Sequence, residues 1–478
     1  MNKIYKIDNV MKYFYEISQI PRMSGKEEKI ANYIEKFAQK KNLKYIRDIY
    51  NNIIIIKEAS TLSKSNESII LQCHMDMICE KEKNSNHNFE KDPLKIYIDG
   101  DFIKAKKTTL GADNGIGIAI ILAILDSIYL IHPRIEAIFT VQEETTMEGS
   151  RKIDVRNLRG NKMICLDNMR EEELVIGCAG AKVFDYEVLG NKRLVDKTYE
   201  LVKIEMSGFI GGHSGKDISK DRGNPIKEMG ELLLKLSKEH GIYIKDIMGG
   251  EKANVIPREC YSKLYIKAEK FKDVKKEIQI YNKSLKNKIQ NNNENINVTI
   301  NLIDENDTES FDMNTTKKII DIINSIPNGV YYEDKNNNPL VSLNMGKVVV
   351  KDNNIKLLFS IRSNRIEKEE QLINKFNYIV DKYNIKKKVS TLSGYEHKEK
   401  SEFVGKCKSI YKQCFKKNPK VIDMHICLEA GFFGEKIPNL DFIAIAPDIL
   451  DAHSPKERCS ISSLKRIYNY IIVILQNL

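Results

Sequence analysis

The chain changes its pattern of apolar and polar positions twice, near residues 183 and 392. Over the first ~180 residues, short apolar runs at 52–56, 68–73, 137–141 and 162–166 predict buried strands. Helical stretches alternate with them, notably 116–131 and a helix through Ile30, Ile34 and Phe37 that follows a predicted capping box at 24–27. This alternation is typical of an α/β domain with a mainly parallel sheet.

The middle of the chain has a different texture, because its predicted strands alternate apolar and polar positions as half-buried antiparallel strands do. Examples are 199–206 and a hairpin over 347–363 that turns at 351–354. An amphipathic helix through Ile226 and Leu236 ends at Gly241. At ~200 residues this segment is about twice the size of a small α+β domain, so we expect two similar halves.

After residue 392 the first pattern returns, with a helix near 403–414 and a strand at 442–446. The simplest architecture is therefore one α/β domain, formed by residues 1–182 and 393–478. An α+β lid domain of residues 183–392 interrupts it.

Composition places the 478 residues among ordinary globular proteins, with 42% hydrophobic and 30% charged residues. The longest apolar run, 116–125, is about half of the ~20 residues that a spanning helix needs, and the N-terminal segment has no apolar signal core. We therefore expect a cytoplasmic protein with no membrane partner. The net charge of +11 is spread along the chain without a basic-aromatic patch, so we expect no nucleic-acid partner.

Acidic and imidazole side chains follow the predicted strands, where open α/β sheets hold their sites. These positions are His74, Asp113, the adjacent Glu143 and Glu144, Asp167, and His453. Two imidazoles and several carboxylates are the donors that a binuclear zinc site needs. Each position alone is weak evidence, since a single histidine is usually a core or surface residue and glutamate pairs are usually solvated. Their shared position after strands favours a metal site.

Longer motifs make the sequence similar to a known family, that of aminoacyl-histidine dipeptidases or cytosol non-specific dipeptidases, which are co-catalytic zinc peptidases. The resemblance runs almost from end to end and is weakest over 270–340. It is carried by ISQIPRMSGKEEKIANYIEKFA, LQCHMDMICEK, TTLGADNGIGIA, FTVQEETTMEGS, IGCAGAKVF, GGHSGKDISKDRGNPIK, ANVIPRE, HICLEAGFF and AHSPKER. It implies a zinc-exopeptidase-like catalytic domain interrupted by the lid.

The resemblance also implies two divalent metal ions per chain. One ion is expected at His74, Asp113 and Asp167, and the other at Asp113, Glu144 and His453. Asp113 would then be shared between the two ions. Zn²⁺ is the expected ion, with Mn²⁺ or Co²⁺ as alternatives because carboxylate-rich sites also accept them.

Two further acidic residues have roles implied by the same motifs. Asp76, two residues after His74, would hold the imidazole in one tautomer. Glu143 would be the general base beside its metal-binding neighbour. The peptide bond between Asp113 and Asn114 is expected to be cis.

Substrate contacts are expected from the lid. By resemblance, His213 would polarise the scissile carbonyl oxygen, while Asn254 and Arg362 suit a C-terminal carboxylate. A buried structural histidine, a turn asparagine and a surface arginine remain the alternatives at these positions. Glu429 could be a partner for the substrate ammonium group or a structural acid.

The sequence thus predicts a metal-dependent dipeptidase that hydrolyses Xaa-His and other dipeptides by means of a metal-activated water. The alternatives are an aminotripeptidase or an N-acyl amino acid deacylase of the same superfamily, and a non-catalytic peptide-binding protein. Short-lid relatives borrow the histidine equivalent to His213 from a neighbouring subunit. The longer lid predicts that His213 acts within its own chain, and a homodimer is left open.

Overall fold

The computed structural model describes residues 7–63, 65–289, 295–305 and 307–478, which divide into two compact units. The first unit contains the described residues up to Cys178, together with Gly394–Met424 and Leu428–Leu478. The second contains Ala179–Ser393 and the short segment His425–Cys427. That segment lies inside the stretch 393–478, which the sequence pattern placed wholly with the α/β domain.

The elements follow one another in three stretches. The first unit begins with helices and strands α1 (Asp8–Ser18), α2 (Glu28–Lys40), β1 (Lys44–Arg47), β2 (Ile53–Lys57), β3 (Ser68–His74), β4 (Ile96–Asp99), β5 (Phe102–Ala105), α3 (Ala112–Asp126), β6 (Arg134–Thr140), α4 (Glu148–Lys152), β7 (Lys162–Cys165) and β8 (Glu173–Cys178). The second unit has β9 (Gly180–Leu189), β10 (Lys192–Leu194), β11 (Tyr199–Ser207), β12 (Gly212–His213), α5 (Pro225–His240), β13 (Tyr243–Gly250), β14 (Val255–Ile256), β15 (Cys260–Lys267), α6 (Phe271–Lys288), β16 (Asn297–Leu302), β17 (Glu309–Phe311), α7 (Met313–Ser325), β18 (Gly329–Glu333), β19 (Pro339–Lys351), β20 (Asn354–Ser363), α8 (Ile366–Tyr383) and β21 (Lys386–Leu392). The first unit ends with α9 (Glu402–Phe415), β22 (Lys420–Met424), α10 (Ala430–Lys436), β23 (Asp441–Ala444), β24 (Ile449–Leu450), β25 (Arg458–Ser460) and α11 (Ile461–Asn477).

The main sheet of the first unit has the strand order β1-β2-β6-β3-β7-β23-β8-β22. Its centre is parallel, since β6, β3, β7 and β23 all pair in the same direction. The edge strands β1 and β2 are antiparallel. The predicted mainly parallel sheet is confirmed, and it brings the carboxyl ends of β3, β6 and β7 side by side.

Helix α3 forms the centre of the first unit's core. Its residues are buried from Ala112 to Leu125, which explains why apolar side chains cover it on all sides. Its bounds differ from the predicted 116–131, because the helix starts with the Asp113 turn and ends at Asp126. Lys57 Nζ donates to the carbonyls at that end. Across the described ranges, no helix has the length and apolarity that crossing a membrane requires.

The second unit repeats one pattern of strands and helices. Its sheet is antiparallel with the order β16-β11-β15-β13-β19-β20-β9-β21, and β18 pairs with β19. The first half runs β11-α5-β13-β15-α6-β16, and the second runs β9-α7-β19-β20-α8-β21. Each half arranges its strands in the order fourth, first, third, second. The predicted α+β lid of two similar halves is confirmed, with the first half inserted into the second after β9.

Equivalent strands join the two halves. β13 and β19, each the second strand of its half, pair antiparallel with Met248 opposite Val349 and Gly250 opposite Lys347. Two protomers related by a two-fold axis would meet in the same way. Gly250 has a φ of +65°, and a Cβ there would lie 2.0 Å from the Gly346 carbonyl oxygen, so only glycine fits this junction.

The predicted capping box at 24–27 is wrong, although the helix that follows it is present. α2 begins at Glu28, and the Ser24 hydroxyl instead donates to Asp76 Oδ2 at 2.7 Å. Glu27 Oε1 accepts from the N–H groups of Gly25 (2.8 Å) and Gln142 (3.0 Å). Both side chains therefore stabilise turns at the carboxyl edge of the sheet rather than the helix.

Candidate active site

Ligand-type side chains gather at the carboxyl edge of the first unit's sheet. They are His74 at the end of β3, Glu143 and Glu144 after β6, Asp167 after β7, Asp113 in the first turn of α3, and His453 between β24 and β25. The expected cis peptide bond between Asp113 and Asn114 is present.

The carboxylate of Asp113 lies between two imidazoles. Its Oδ1 is 3.1 Å from His74 Nε2, and its Oδ2 is 3.1 Å from His453 Nε2. His453 Nε2 is also 3.1 Å from Glu144 Oε1. Ligand atoms of His74, Asp113 and Glu144 all lie within 4.8 Å of one another. One carboxylate oxygen facing each imidazole is the arrangement that a carboxylate shared by two ions requires.

The charges of this cluster are arranged for a cation. Hydrogen bonds with Asp113 and Glu144 raise the pKa of His453 to about 10. Burial alone would lower the pKa of His74, but hydrogen bonds with Asp113 and Asp76 raise it well above its ordinary value. The imidazoles therefore attract protons into positions that metal ions would take.

The buried carboxylate of Glu144 supports the same conclusion. Glu144 Oε1 is buried and lies 3.1 Å from His453 Nε2, with no other partner among the described residues. Burial, followed by the charge of Asp113, raises the pKa of Glu144. A divalent ion would balance these buried negative charges, so the imidazole and carboxylate donors present fit such an ion.

Asp167 belongs to the same electrostatic environment but not to the tightest group of ligand atoms. Burial and the negative charge of Asp113 raise its pKa to about 7. Its role as a ligand therefore stays a prediction.

Asp76 was predicted only to orient His74, but its carboxylate also contacts the backbone after β6. Its Oδ1 lies 3.3 Å from His74 Nδ1 and accepts the N–H of Glu143 at 3.1 Å. Its Oδ2 accepts the N–H of Glu144 at 3.1 Å. Burial alone would raise the pKa of Asp76, but hydrogen bonds from His74 and Ser24 lower it. This carboxylate thus fixes both the imidazole and the Glu143–Glu144 turn.

Glu143 has the surroundings of a proton-transfer group. Its Oε2 is 3.9 Å from His74 Nε2, beyond hydrogen-bonding distance. Burial, together with the charges of Asp167 and Glu144, raises its pKa well above the ordinary value. A carboxylate whose pKa is raised in this way is suited to accepting and then releasing a proton.

Glu429 is a fully buried acid beneath these residues. Its Oε2 accepts from Gln72 Nε2 and Thr140 Oγ1, both at 2.6 Å. Burial raises its pKa to about 7. The HICLEAGFF motif left a substrate ammonium partner and a structural acid as the two roles of Glu429, and these contacts with Gln72 and Thr140 favour the structural acid.

In the second unit, Arg362 is a buried guanidinium that has no carboxylate partner among the described residues. Its Nε donates to Ser214 Oγ at 3.1 Å, and its Nη1 lies 3.5 Å from Cys427 Sγ. Because an unpaired buried cation is costly, this position favours an anionic ligand.

The predicted substrate residues of the second unit share one neighbourhood. His213 Nδ1 accepts the N–H groups of Gly215 (3.1 Å) and Lys216 (3.2 Å), so the proton of the neutral ring is on Nε2. The backbone carbonyl of Asn254 accepts the N–H of Ser214 at 3.0 Å, and its side chain is exposed.

His425 also belongs to this neighbourhood, although its sequence context did not indicate a role. Its Nε2 lies 2.7 Å from Ser342 Oγ, and its buried Nδ1 has no partner among the described residues. A Cβ on Gly215 would lie 2.6 Å from the His425 carbonyl oxygen, so a larger residue would not fit at this position. Burial, together with the positive charges of Arg362 and His213, lowers the pKa of His425 to about 3.

The chain is similar to known peptidases in sequence and in fold. Residues 204–293 match the peptidase dimerisation domain of M20 peptidases, which places that match on the first half of the second unit. The chain is 30% identical over 468 residues to the cytosol non-specific dipeptidase of Escherichia coli strain K12, covering 97% of this chain and 96% of the relative. It superposes on the aminoacylhistidine dipeptidase of Vibrio alginolyticus with a TM-score of 0.90 and 28% identity, over 98% and 96% of the two chains.

The aminopeptidase PepT of Bacillus cereus shares the fold, with a TM-score of 0.56 and 14% identity over 99% of each chain. Fold and site therefore define a peptidase of the M20 class, with an α/β catalytic domain interrupted by a lid. Within that class, the chain belongs to the cytosol non-specific dipeptidase family. The family resemblance of the motifs is confirmed.

We predict that the His425 imidazole stays neutral from about pH 8 to about pH 5, whereas an unfolded histidine titrates near 6.5. The unfolded chain then binds the proton first, so His425 makes the folded protein less stable as the pH falls from about 6.5 towards about 3. NMR of ¹⁵N-histidine-labelled protein measures this directly, with His425→Gln identifying the resonance and the urea-unfolded chain as the control. A folded-state pKa near 6.5 would contradict the prediction.

Proposed function

We propose that this protein is a cytoplasmic, metal-dependent dipeptidase that hydrolyses Xaa-His and other dipeptides, with two divalent ions per chain. The position of the Asp113 carboxylate between His74 and His453 carries the proposal. Zn²⁺ is the ion proposed, and Mn²⁺ or Co²⁺ could take its place. The partners are small peptides.

His74, Asp113 and Asp167 would hold one ion, and Asp113, Glu144 and His453 the other. The buried Oε1 of Glu144, 3.1 Å from His453 Nε2, supports this assignment. When bound, ions at such a site acidify water and polarise the scissile carbonyl. Asp76 would keep the His74 ring and the Glu143–Glu144 turn in place while the ions bind.

Glu143 would act as the general base. It takes a proton from the attacking water and returns it to the leaving amine as the peptide bond breaks. Its burial and its raised pKa suit both transfers. Its Oε2 lies 3.9 Å from His74 Nε2, too far for a hydrogen bond. This supports a role in proton transfer and not in metal binding.

Arg362 and Asn254 would bind the C-terminal carboxylate of the dipeptide. The support is that Arg362 is buried without an acidic partner among the described residues. A planar guanidinium pairs with a carboxylate through two parallel hydrogen bonds. His213 would donate from Nε2 to the scissile carbonyl oxygen, since the Gly215 and Lys216 amides already occupy its Nδ1.

The nested halves of the second unit support a lid that is completed within one chain. The matched dimerisation domain covers only the first half, and the second half pairs with it through equivalent strands. The second half would therefore occupy the place of a partner's lid, so that catalysis does not require a homodimer.

The nearest alternatives are an aminotripeptidase, an N-acyl amino acid deacylase and a non-catalytic peptide-binding protein. The TM-score of 0.90 to an aminoacylhistidine dipeptidase, against 0.56 to an aminopeptidase, supports the dipeptidase. All the predicted metal-binding side chains are present, and Glu143 lies next to Glu144 as a candidate base. This favours an enzyme over a peptide-binding protein.

The metal count should approach two per chain, measured by elemental analysis of the purified protein. A chelator should abolish hydrolysis, and Zn²⁺, Mn²⁺ or Co²⁺ should restore it, because the ions would acidify the attacking water and polarise the scissile carbonyl. Xaa-His and Ala-Ala should be cleaved in preference to tripeptides and N-acetyl amino acids. Full activity at one ion per chain would refute the binuclear site, and preference for the longer or acylated substrates would favour the rival enzymes.

Glu143→Gln should lower kcat by at least ~100-fold while both ions stay bound, because the change removes the base but no ligand. Glu144→Gln is the matched comparison one residue along, and it should lose metal. Metal content and activity are measured on the same samples. If Glu143→Gln loses metal in step with activity, the roles of the two glutamates are reversed.

His213→Ala should lower kcat strongly with little change in metal affinity, since His213 would contact substrate only. His240→Gln, another histidine of the second unit, serves as the control and should leave kcat unchanged. A mixture of inactive Glu143→Gln and His213→Ala chains should recover no activity if His213 acts within its own chain. Recovery in the mixture would show that a neighbouring chain supplies the histidine.

A further inference from the structure

The turn that carries Asp113 is held on one side by a buried carboxylate that the proposed site does not use. Glu457 lies in the AHSPKER motif, four residues after His453. Its Oε2 accepts the N–H groups of Leu110 (2.8 Å) and Gly111 (2.9 Å). Its Oε1 accepts those of Ala112 (2.8 Å) and Asp113 (3.4 Å). One side chain therefore binds the whole turn and joins it to the loop of His453.

A buried guanidinium holds the same turn from its carbonyl side. Arg22, only 2% exposed, belongs to the ISQIPRMSG motif, whose role the proposed chemistry leaves open. Its Nη1 donates to the carbonyls of Met75 (3.0 Å) and Asp76 (2.9 Å), and its Nη2 donates to the carbonyl of Gly111. Arg22 therefore joins the turn after His74 to the turn of Asp113.

Two glycines of the TTLGADNG motif leave room for this guanidinium. A Cβ on Gly111 would lie 2.5 Å from Arg22 Nη2, and a Cβ on Gly115 would lie 2.7 Å from the same atom. Gly111 also has a φ of +65°, which disfavours any other residue. The motif is thus shaped around Arg22 as well as around Asp113.

The charges of the neighbourhood support the same arrangement. Burial alone would lower the pKa of Arg22, and the negative charges of Glu457, Asp76 and Asp113 oppose that effect. An isolated buried cation is costly, so a guanidinium placed among buried acids and bonded to backbone carbonyls has a specific reason to be there.

We propose that Arg22 and Glu457 are positioning residues that clamp the Leu110–Asp113 turn. The clamp would present the Asp113 carboxylate between His74 and His453 before any ion binds. Neither side chain would contact an ion or the substrate. The inference rests on the proposed metal-dependent function, because its consequence is the affinity of the site for its ions. Residues that orient metal ligands typically change affinity by about 10- to 100-fold when they are replaced.

Titration of chelator-stripped protein with Co²⁺, followed by visible absorption, measures both the affinity and the coordination geometry. Glu457→Gln keeps the size of the side chain but turns an amide towards backbone N–H groups. Arg22→Lys keeps the charge but loses the planar fork that reaches both turns. Each should weaken Co²⁺ binding by about 10- to 100-fold and alter the absorption bands.

Glu136→Gln is the matched control. Glu136 is a buried carboxylate of the same unit that accepts the N–H groups of Arg159 and Gly160 near the opposite end of β6. Thermal unfolding of the metal-free variants measures the structural cost of each change. Glu136→Gln should lower the unfolding temperature yet bind Co²⁺ with the wild-type affinity and spectrum.

Wild-type affinity and spectrum in both Glu457→Gln and Arg22→Lys would overturn the clamp and leave the two residues as ordinary supports of the fold. Wild-type binding in Arg22→Lys alone would overturn the role of the planar fork, since charge would then suffice. If Arg22→Lys does not fold, Glu457→Gln decides the outcome. A wild-type protein that binds no Co²⁺ would instead refute the proposed metal site.

Discussion

Buried negative charge is the constraint on which the first unit depends. Acidic side chains such as Asp76, Asp113 and Glu429 are buried away from water, so each needs a positive or hydrogen-bonding partner. Backbone N–H groups supply part of this compensation at Asp76 and Glu457. Imidazoles supply another part, and divalent ions would supply the rest. The same constraint links the parallel sheet, the glycine-rich turn and the chemistry.

Local patterns predicted the sheet and proposed several candidate ligands, since apolar runs and the charges that end them are properties of neighbouring residues. Asp113 lies in the first turn of α3 and His453 lies between β24 and β25, so the family motifs indicated these two, and strand ends did not. The positions of His74, Glu144 and Asp167, at or just after the ends of β3, β6 and β7, could be proposed without a structure. Contacts between distant turns could not be predicted from such local patterns. Ser24 fits a helix cap by its spacing, yet its hydroxyl bonds Asp76, 52 residues away. Glu457 binds Gly111 across 346 residues, and no local pattern encodes that pairing.

The second unit shows the same limit at a larger scale. Its size and its alternating strands predicted two similar halves, which the strand orders confirm. The nesting of one half inside the other was not predictable, because β9 and α7 of the second half are separated by the whole first half. Residues 425–427 join this unit through contacts such as that of His425 with Ser342, which sequence patterns do not reveal.

The nesting also bears on how the chain assembles. All strands of the first half lie between Tyr199 and Leu302, so that half can close its sheet from contacts nearby in sequence. The second half pairs Gly180–Leu189 with Asn354–Ser363 and must wait until the intervening residues have been synthesised. Loop-closure entropy and the direction of synthesis both favour the inner half forming first. Its β13 would then offer an exposed edge on which β19 of the outer half can pair as it leaves the ribosome.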